Sequence, residues 1–194
     1  MIARIIATLA VLAGFCLTYV FWPESGSLPK IKKVEAFSLE AIQSSEYDSA
    51  NNKVKLVNFF YTSCPDVCPL TMTDLKKVQD RLKDENLFGS EAEIVSISFD
   101  PVNDTEEKVR EYANHFHADF KGWKFLSGRE PDIKRVTENF NMNIKMDNGG
   151  VVAHSTKMYL VDQNHFIRAE YDMAGLKESI SVEEILADIQ SLAR

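Results

Sequence analysis

The apolar and polar positions of the chain fall into two rhythms that follow one another. Over residues 53–61, Val54, Leu56, Val57, Phe59 and Phe60 pass from alternation into a near-continuous apolar run, the mark of a central strand buried on both faces. Met72, Leu75, Val78 and Leu82 then recur at helical spacing, and that helix is expected to end by Gly89. A second strand is expected over 94–99, closed by Asp100-Pro101. A second helix follows, with Asp104 and Glu107 as its N-terminal capping pattern and Val109, Tyr112, Ala113 and Phe116 as its apolar stripe. Residues 123–126 read as a short strand, and Pro131 opens a helix carrying Ile133, Val136 and Phe140.

Residues 139–150 are polar and rich in turn formers, which predicts a mobile loop or a hairpin tip. The runs 157–161 and 166–171, joined by a short turn, should pair as a hairpin. Ser181 and Glu184 are spaced as a capping box for a last helix whose inner face is Val182, Ile185, Ile189 and Leu192. Upstream, Val34, Ala36, Phe37 and Leu39 suggest a short opening strand, and 43–53 a loop or hairpin. This order predicts an α/β layered domain with a mixed central sheet.

The first residues do not belong to that pattern. Residues 5–22 carry no charge and are about long enough to cross a hydrocarbon core of roughly 30 Å as a helix. The segment 1–22 is therefore expected to be a transmembrane anchor or a secretory signal, with Trp22 as its interfacial aromatic. Ser25-Gly26-Ser27 offers a cleavage site; Cys16, behind the bulky Phe15, is a poor site for lipid attachment. Residues 23–33, rich in Pro, Gly, Ser and Lys, read as a tether, and 34–194 as the domain. A count of flanking positive charges would keep the domain inside the cell, yet Arg4 abuts the apolar run as in a signal. We place the domain on the extracytoplasmic side.

Between the first long strand and its helix stands Tyr61-Thr62-Ser63-Cys64-Pro65-Asp66-Val67-Cys68-Pro69. Two thiols separated by three residues can close a disulfide or hold a soft metal, and spacing does not choose between these. Proline disfavours the α conformation in the residue before it, so Cys64 and Cys68 are both expected in extended or turn backbone, with Pro69 opening the helix. Cys68 at a helix N-terminus should ionise more easily than an ordinary thiol. A dithiol turn between a strand and a helix is what thioredoxin-like domains carry.

A metal held by two thiolates alone is open to solvent, which turns attention to the histidines. His115 and His117 end a helix and His165 sits in a turn, where solvated surface roles suffice. His154 follows the Gly-rich tract and directly precedes a strand, where loops from neighbouring strands converge. Met142, Met146 and Met158 are soft donors that more often fill cores. Asp100 can serve as a turn residue or orient a ligand. A net charge of −7, with no clustered Lys and Arg, argues against a nucleic-acid partner.

Three separated stretches resemble the SCO/SenC family: the cysteine motif, Ser98-Phe99-Asp100-Pro101-Val102-Asn103-Asp104-Thr105, and His154-Ser155-Thr156-Lys157-Met158-Tyr159-Leu160-Val161-Asp162. The resemblance runs from about residue 33 to the C-terminus. It implies a thioredoxin-like three-layer fold with a mixed central sheet, preceded by an N-terminal transmembrane helix. It implies a copper chaperone, rather than an enzyme, that assists assembly of the binuclear copper centre of cytochrome c oxidase subunit II. By the same resemblance Cys64, Cys68 and His154 match the copper ligands and Asp100 the acidic residue near them. The cargo would be Cu(I) or Cu(II), and a copper donor or thiol reductase a further partner. The alternative is a thiol-disulfide oxidoreductase that uses Cys64 and Cys68 to keep the oxidase's copper-site cysteines reduced.

Overall fold

The computed structural model describes residues 28–42, 44–142, 144–147 and 150–193. The expected anchor, Cys16 and residues 23–27 of the expected tether lie outside the described residues. Among the described residues no helix is long and apolar enough to cross a membrane.

The run at 53–61 forms a strand at Val54–Phe60 in which every residue is buried. It is the fourth of ten strands among the described residues. Before it come β1 (Lys32–Lys33), β2 (Ser38–Ala41) and β3 (Ser44–Asp48), the last two pairing as an antiparallel hairpin, one of the two forms expected for 43–53. After β4 come α1 (Val67–Asp84), β5 (Ala92–Ser98), α2 (Glu106–His115), β6 (Trp123–Ser127) and α3 (Glu130–Asn139). The turn-rich tract at 139–150 ends in a second hairpin, β7 (Ile144–Asp147) with β8 (Gly150–His154). The chain closes with the expected hairpin β9 (Lys157–Val161) and β10 (Phe166–Asp172), then α4 (Val182–Leu192).

Eight strands make one sheet in the order β1-β10-β9-β4-β5-β6-β2-β3, and β7-β8 forms a separate ribbon. β4, β5 and β6 are parallel, while β9 runs antiparallel to β4, so the sheet is mixed as expected. Strand pleating sends alternate side chains of β4 to opposite faces. Val54, Leu56 and Phe60 enter a core shared with α1, α2 and α4; Val57 and Phe59 enter a second core closed by Ile133 and Val136 of α3 and by Phe140. Each such side chain removed from water contributes roughly 1.5–3 kcal/mol, so both layers clamp the strand that delivers the cysteine motif.

Two capping expectations are corrected. Ser181 occupies the N-cap of α4 but makes no side-chain cap bond. The cap of α2 is Thr105, whose hydroxyl accepts from the Lys108 amide, and not Asp104. Thr105 can cap because it lies in extended backbone just before the first turn. That leaves the Asp104 carboxylate for another task.

Candidate metal and redox site

β4 ends at Phe60, and its ladder to β5 continues one step beyond through the Phe99 amide on the Phe60 carbonyl (3.1 Å). The chain then turns back on itself, the Cys64 amide donating to the Tyr61 carbonyl at 3.2 Å. Asp104 fixes this turn from the loop that follows β5. Its carboxylate accepts from the Thr62 amide (3.1 and 3.2 Å), from the Thr62 hydroxyl (2.5 Å) and from the Ser98 hydroxyl (2.5 Å). Asp104 is only 2% exposed, and burial pushes its carboxyl pKa up while these donors pull it back.

Asp100 shapes the turn that presents Asp104. Its carbonyl accepts from the Asn103 and Asp104 amides, and its carboxylate accepts from the Asn103 side chain at 3.0 and 2.9 Å. Its charge also reaches Tyr61 and Asp104. Asp100 is thus a buried turn residue whose field is felt at the site.

Helix α1 begins at Val67, which puts Cys68 inside its first turn and Pro69 at the third helical position. This corrects the expectation that Cys68 is extended and that Pro69 opens the helix. The physical reason is that the first turn leaves its amides without intrahelical partners, so a proline there forfeits no hydrogen bond. Asp66, the N-cap, makes no side-chain cap bond.

Cys64 is partly exposed and Cys68 fully buried, and the two stand as a dithiol, not a disulfide. Their side chains are hydrogen-bonded to each other, and that bond is the largest cause raising the Cys68 thiol well above its ordinary range, followed by burial and by the charge on Cys64. The expectation of an easily ionised Cys68 is therefore reversed. A helix N-terminus is worth about 0.3–1 kcal/mol to an anion, under one pKa unit, whereas full burial can move a group by about 3–5 units. Tyr61 is pushed up to about 12, first by burial and then by the charge and hydrogen bond of Cys64.

His154 closes β8, and its backbone pairs with Ile144; its side chain lies outside what the structure describes. The strand after it, β9, runs antiparallel to β4 with Met158 opposite Asn58. The backbone from His154 to Thr156 therefore enters the sheet at the end from which Tyr61 and the cysteine turn leave. Among the described residues no group of three His, Cys, Asp or Glu side chains converges on a metal position. Met158 and Met142 are buried core side chains, in keeping with the core-filling role expected of them, and the side chain of Met146 lies outside what the structure describes. His115 is exposed at the end of α2, His117 follows it with φ 53°, and His165 occupies the β9–β10 turn with φ 65°.

Three site residues escaped the sequence reading: Thr62, Asp104 and Tyr112. Asp104 looked like a cap, although Thr105 beside it is an equally good one, and that redundancy was the available signal. Tyr112 fell on the apolar stripe of α2, where its hydroxyl gave no sign of its surroundings.

A small α/β domain whose dithiol turn joins a central strand to its helix defines a class, the thioredoxin-like redox and metal-binding proteins. Within it the chain belongs to the SCO1/SenC family, whose family model matches residues 28–194. A SCO2-like protein of Rickettsia felis is 35% identical over 123 residues, which is 60% of this chain and 57% of that protein, so the match spans little more than half of that relative's length. The crystal structure of a SCO1/SenC family lipoprotein from Bacillus anthracis str. Ames superposes with TM-score 0.74 at 27% identity, over 84% of this chain and 95% of that one. Arabidopsis thaliana ScoI with copper bound gives TM-score 0.63 at 26% identity, over 82% and 98%. BsSco, a member of the Sco family of cytochrome c oxidase assembly proteins in which a disulfide switch is identified, gives 0.70 at 27%, over 83% and 93%.

Proposed function

We propose that this chain is a membrane-anchored copper chaperone that assists assembly of cytochrome c oxidase, with the binuclear copper centre of subunit II as its client. One copper is held by Cys64, Cys68 and His154, and the anchor at 1–22 keeps the domain on the extracytoplasmic side. The observation that carries the reading is the juxtaposition of the two thiols at the end of β4, where the backbone from His154 also enters the sheet. Two thiolates suit Cu(I), and an imidazole beside them lets the same site take Cu(II). Family membership supports it, with copper bound in the Arabidopsis relative and oxidase assembly ascribed to the Sco family. Leu70, just after the cysteine motif, and Val102, just after Asp100-Pro101, are exposed apolar side chains that a client protein could cover.

A second reading draws on the asymmetry of the pair. Partly exposed Cys64 is placed to attack a client disulfide, and buried Cys68, whose side chain bonds to it, to resolve the mixed disulfide. In that reading the chain is a thiol-disulfide reductant for the oxidase's copper-site cysteines.

His154→Ala separates the two. The full chain, reduced and titrated with copper, should bind one equivalent with sulfur and nitrogen signals in its electron paramagnetic resonance spectrum. The variant should bind at least about tenfold more weakly while its dithiol potential stays near that of the parent. Unchanged copper affinity in the variant would leave the reductant as the better account.

A further inference from the structure

The phenol of Tyr112, on α2, is held in a fixed orientation. Its ring stacks on Phe60 (5.3 Å, interplanar 13°) and meets Phe116 edge-on (5.0 Å, 62°). It packs in the same apolar cluster as Cys64 and Cys68. The ring lines a surface cleft of about 290 Å³ with Thr62, Lys108, Glu111 and His115, but the hydroxyl is buried. Among the described residues that hydroxyl has no hydrogen-bond partner.

A buried O–H without a partner destabilises a fold, and its retention asks for a use. The surroundings indicate one. After its own burial, the influences that most oppose ionisation of this phenol and push its pKa up are the charges on Cys68, then Cys64, then Asp104, so the hydroxyl lies within the field of the two sulfurs. Tyr61 is already engaged with Cys64, and the Cys68 side chain is bonded to Cys64. Among the described residues, Tyr112 is a buried donor in this field whose hydrogen is not already engaged.

We propose that Tyr112 is a positioning residue whose hydroxyl donates a hydrogen bond to the Cys68 sulfur once a bound metal has displaced the proton of that thiol. The inference rests on the copper-binding reading above. Metal binding exchanges the S–H bond of Cys68 for a sulfur–metal bond and sends the proton to solvent. The phenol keeps its own proton throughout, and nothing is oxidised or reduced. A donor on a thiolate draws electron density from sulfur, weakens its donation to Cu(II) and so favours Cu(I).

Tyr112→Phe keeps the ring and removes the donor. With the full chain, the parent and the variant should each bind one copper. In the variant the sulfur-to-Cu(II) charge-transfer band should move to longer wavelength, and the equilibrium with a reference redox couple should move about tenfold toward Cu(II). A band and an equilibrium that coincide with those of the parent overturn the donor role, because a merely structural tyrosine would alter the unfolding midpoint and leave both unmoved. Should Tyr112→Phe fail to fold, replacement of Tyr112 by 3-fluorotyrosine, a stronger donor of nearly the same size, should move the band to shorter wavelength, and an unmoved band overturns the role. If the parent takes up no copper, the copper reading falls by itself. The donor is then read from cadmium(II), whose ultraviolet thiolate band should shift in Tyr112→Phe. No shift, or a parent that binds neither metal through sulfur, overturns the inference.

Discussion

The Asp104 carboxylate ties the chain leaving β4 to the chain leaving β5, since Thr62 and Ser98 both donate to it. Three donors on one buried carboxylate leave little freedom in the turn that carries Cys64. Asp104→Asn keeps the shape but offers one acceptor oxygen in place of two, at a cost of about 1–3 kcal/mol. The pH dependence has a definite sign. Burial raises the folded pKa of Asp104 above its ordinary 3.8, so its contribution to stability is fully present below that value and is lost as pH rises through the folded pKa. The stability gap between parent and Asp104→Asn, measured by urea unfolding, should therefore be widest near pH 4 and narrow toward pH 7. A gap that widens with pH would contradict the raised carboxyl.

Among elements, α1 does two jobs. Its first turn holds Cys68, and its inner face grips the segment after β10. The Thr71 hydroxyl donates to the Val67 carbonyl (2.8 Å) and accepts from the Ala174 amide (3.0 Å), while Asp74 accepts from the Ile180 amide at 3.2 Å. Thr71 is fully buried, so Thr71→Val leaves the Ala174 amide without a partner in an apolar setting. The expected loss is about 1–3 kcal/mol, together with faster amide hydrogen exchange at Ala174, while exchange at Ile180 is retained through Asp74. Equal exchange at Ala174 in both proteins would remove the role given to Thr71.

Such contacts mark where the sequence stops speaking. β4, β5 and the β9–β10 hairpin were legible because apolar runs, period-2 patterning and turn residues are local properties. The cysteine motif was legible because prolines and thiols at a strand-to-helix turn are rare together. The protonation of Cys68 was not, because it depends on burial under α1 and on a partner thiol, both set by tertiary packing. Asp104 failed to announce itself for the same reason, since its partners Thr62 and Ser98 are 42 and 6 residues away.

At the scale of the whole molecule, the sheet buries charge at the end remote from the dithiol. Lys55, on β4 and 2% exposed, is held below its ordinary 10.5 to about 8 by burial, against the pull of Glu93 and, more weakly, Asp48 and Asp162, with Lys53 adding to the depression. Between about 8 and 10.5 the unfolded chain holds a proton that the folded chain has shed, so the stability owed to Lys55 rises with pH across that window and is lost as pH falls through about 8. The shift corresponds to an upper bound of order 3 kcal/mol. Stability of the parent relative to Lys55→Met, followed by urea midpoints at pH 7 and pH 10, should rise accordingly. A difference flat in pH would mean that this lysine stays charged inside the fold.

The leading segment lies along the sheet's outer edge. The Ile31 amide donates to the Ile167 carbonyl (2.8 Å), the Val34 amide to that of His165 (2.8 Å), and Arg168 reaches the carbonyls of Leu28 and Pro29. Any mechanical load passed down the chain from upstream meets this lashing first. In the order β1-β10-β9-β4, two further strands separate the edge from the strand that feeds the cysteine turn, so tension would peel β1 from β10 before it could reach the two sulfurs.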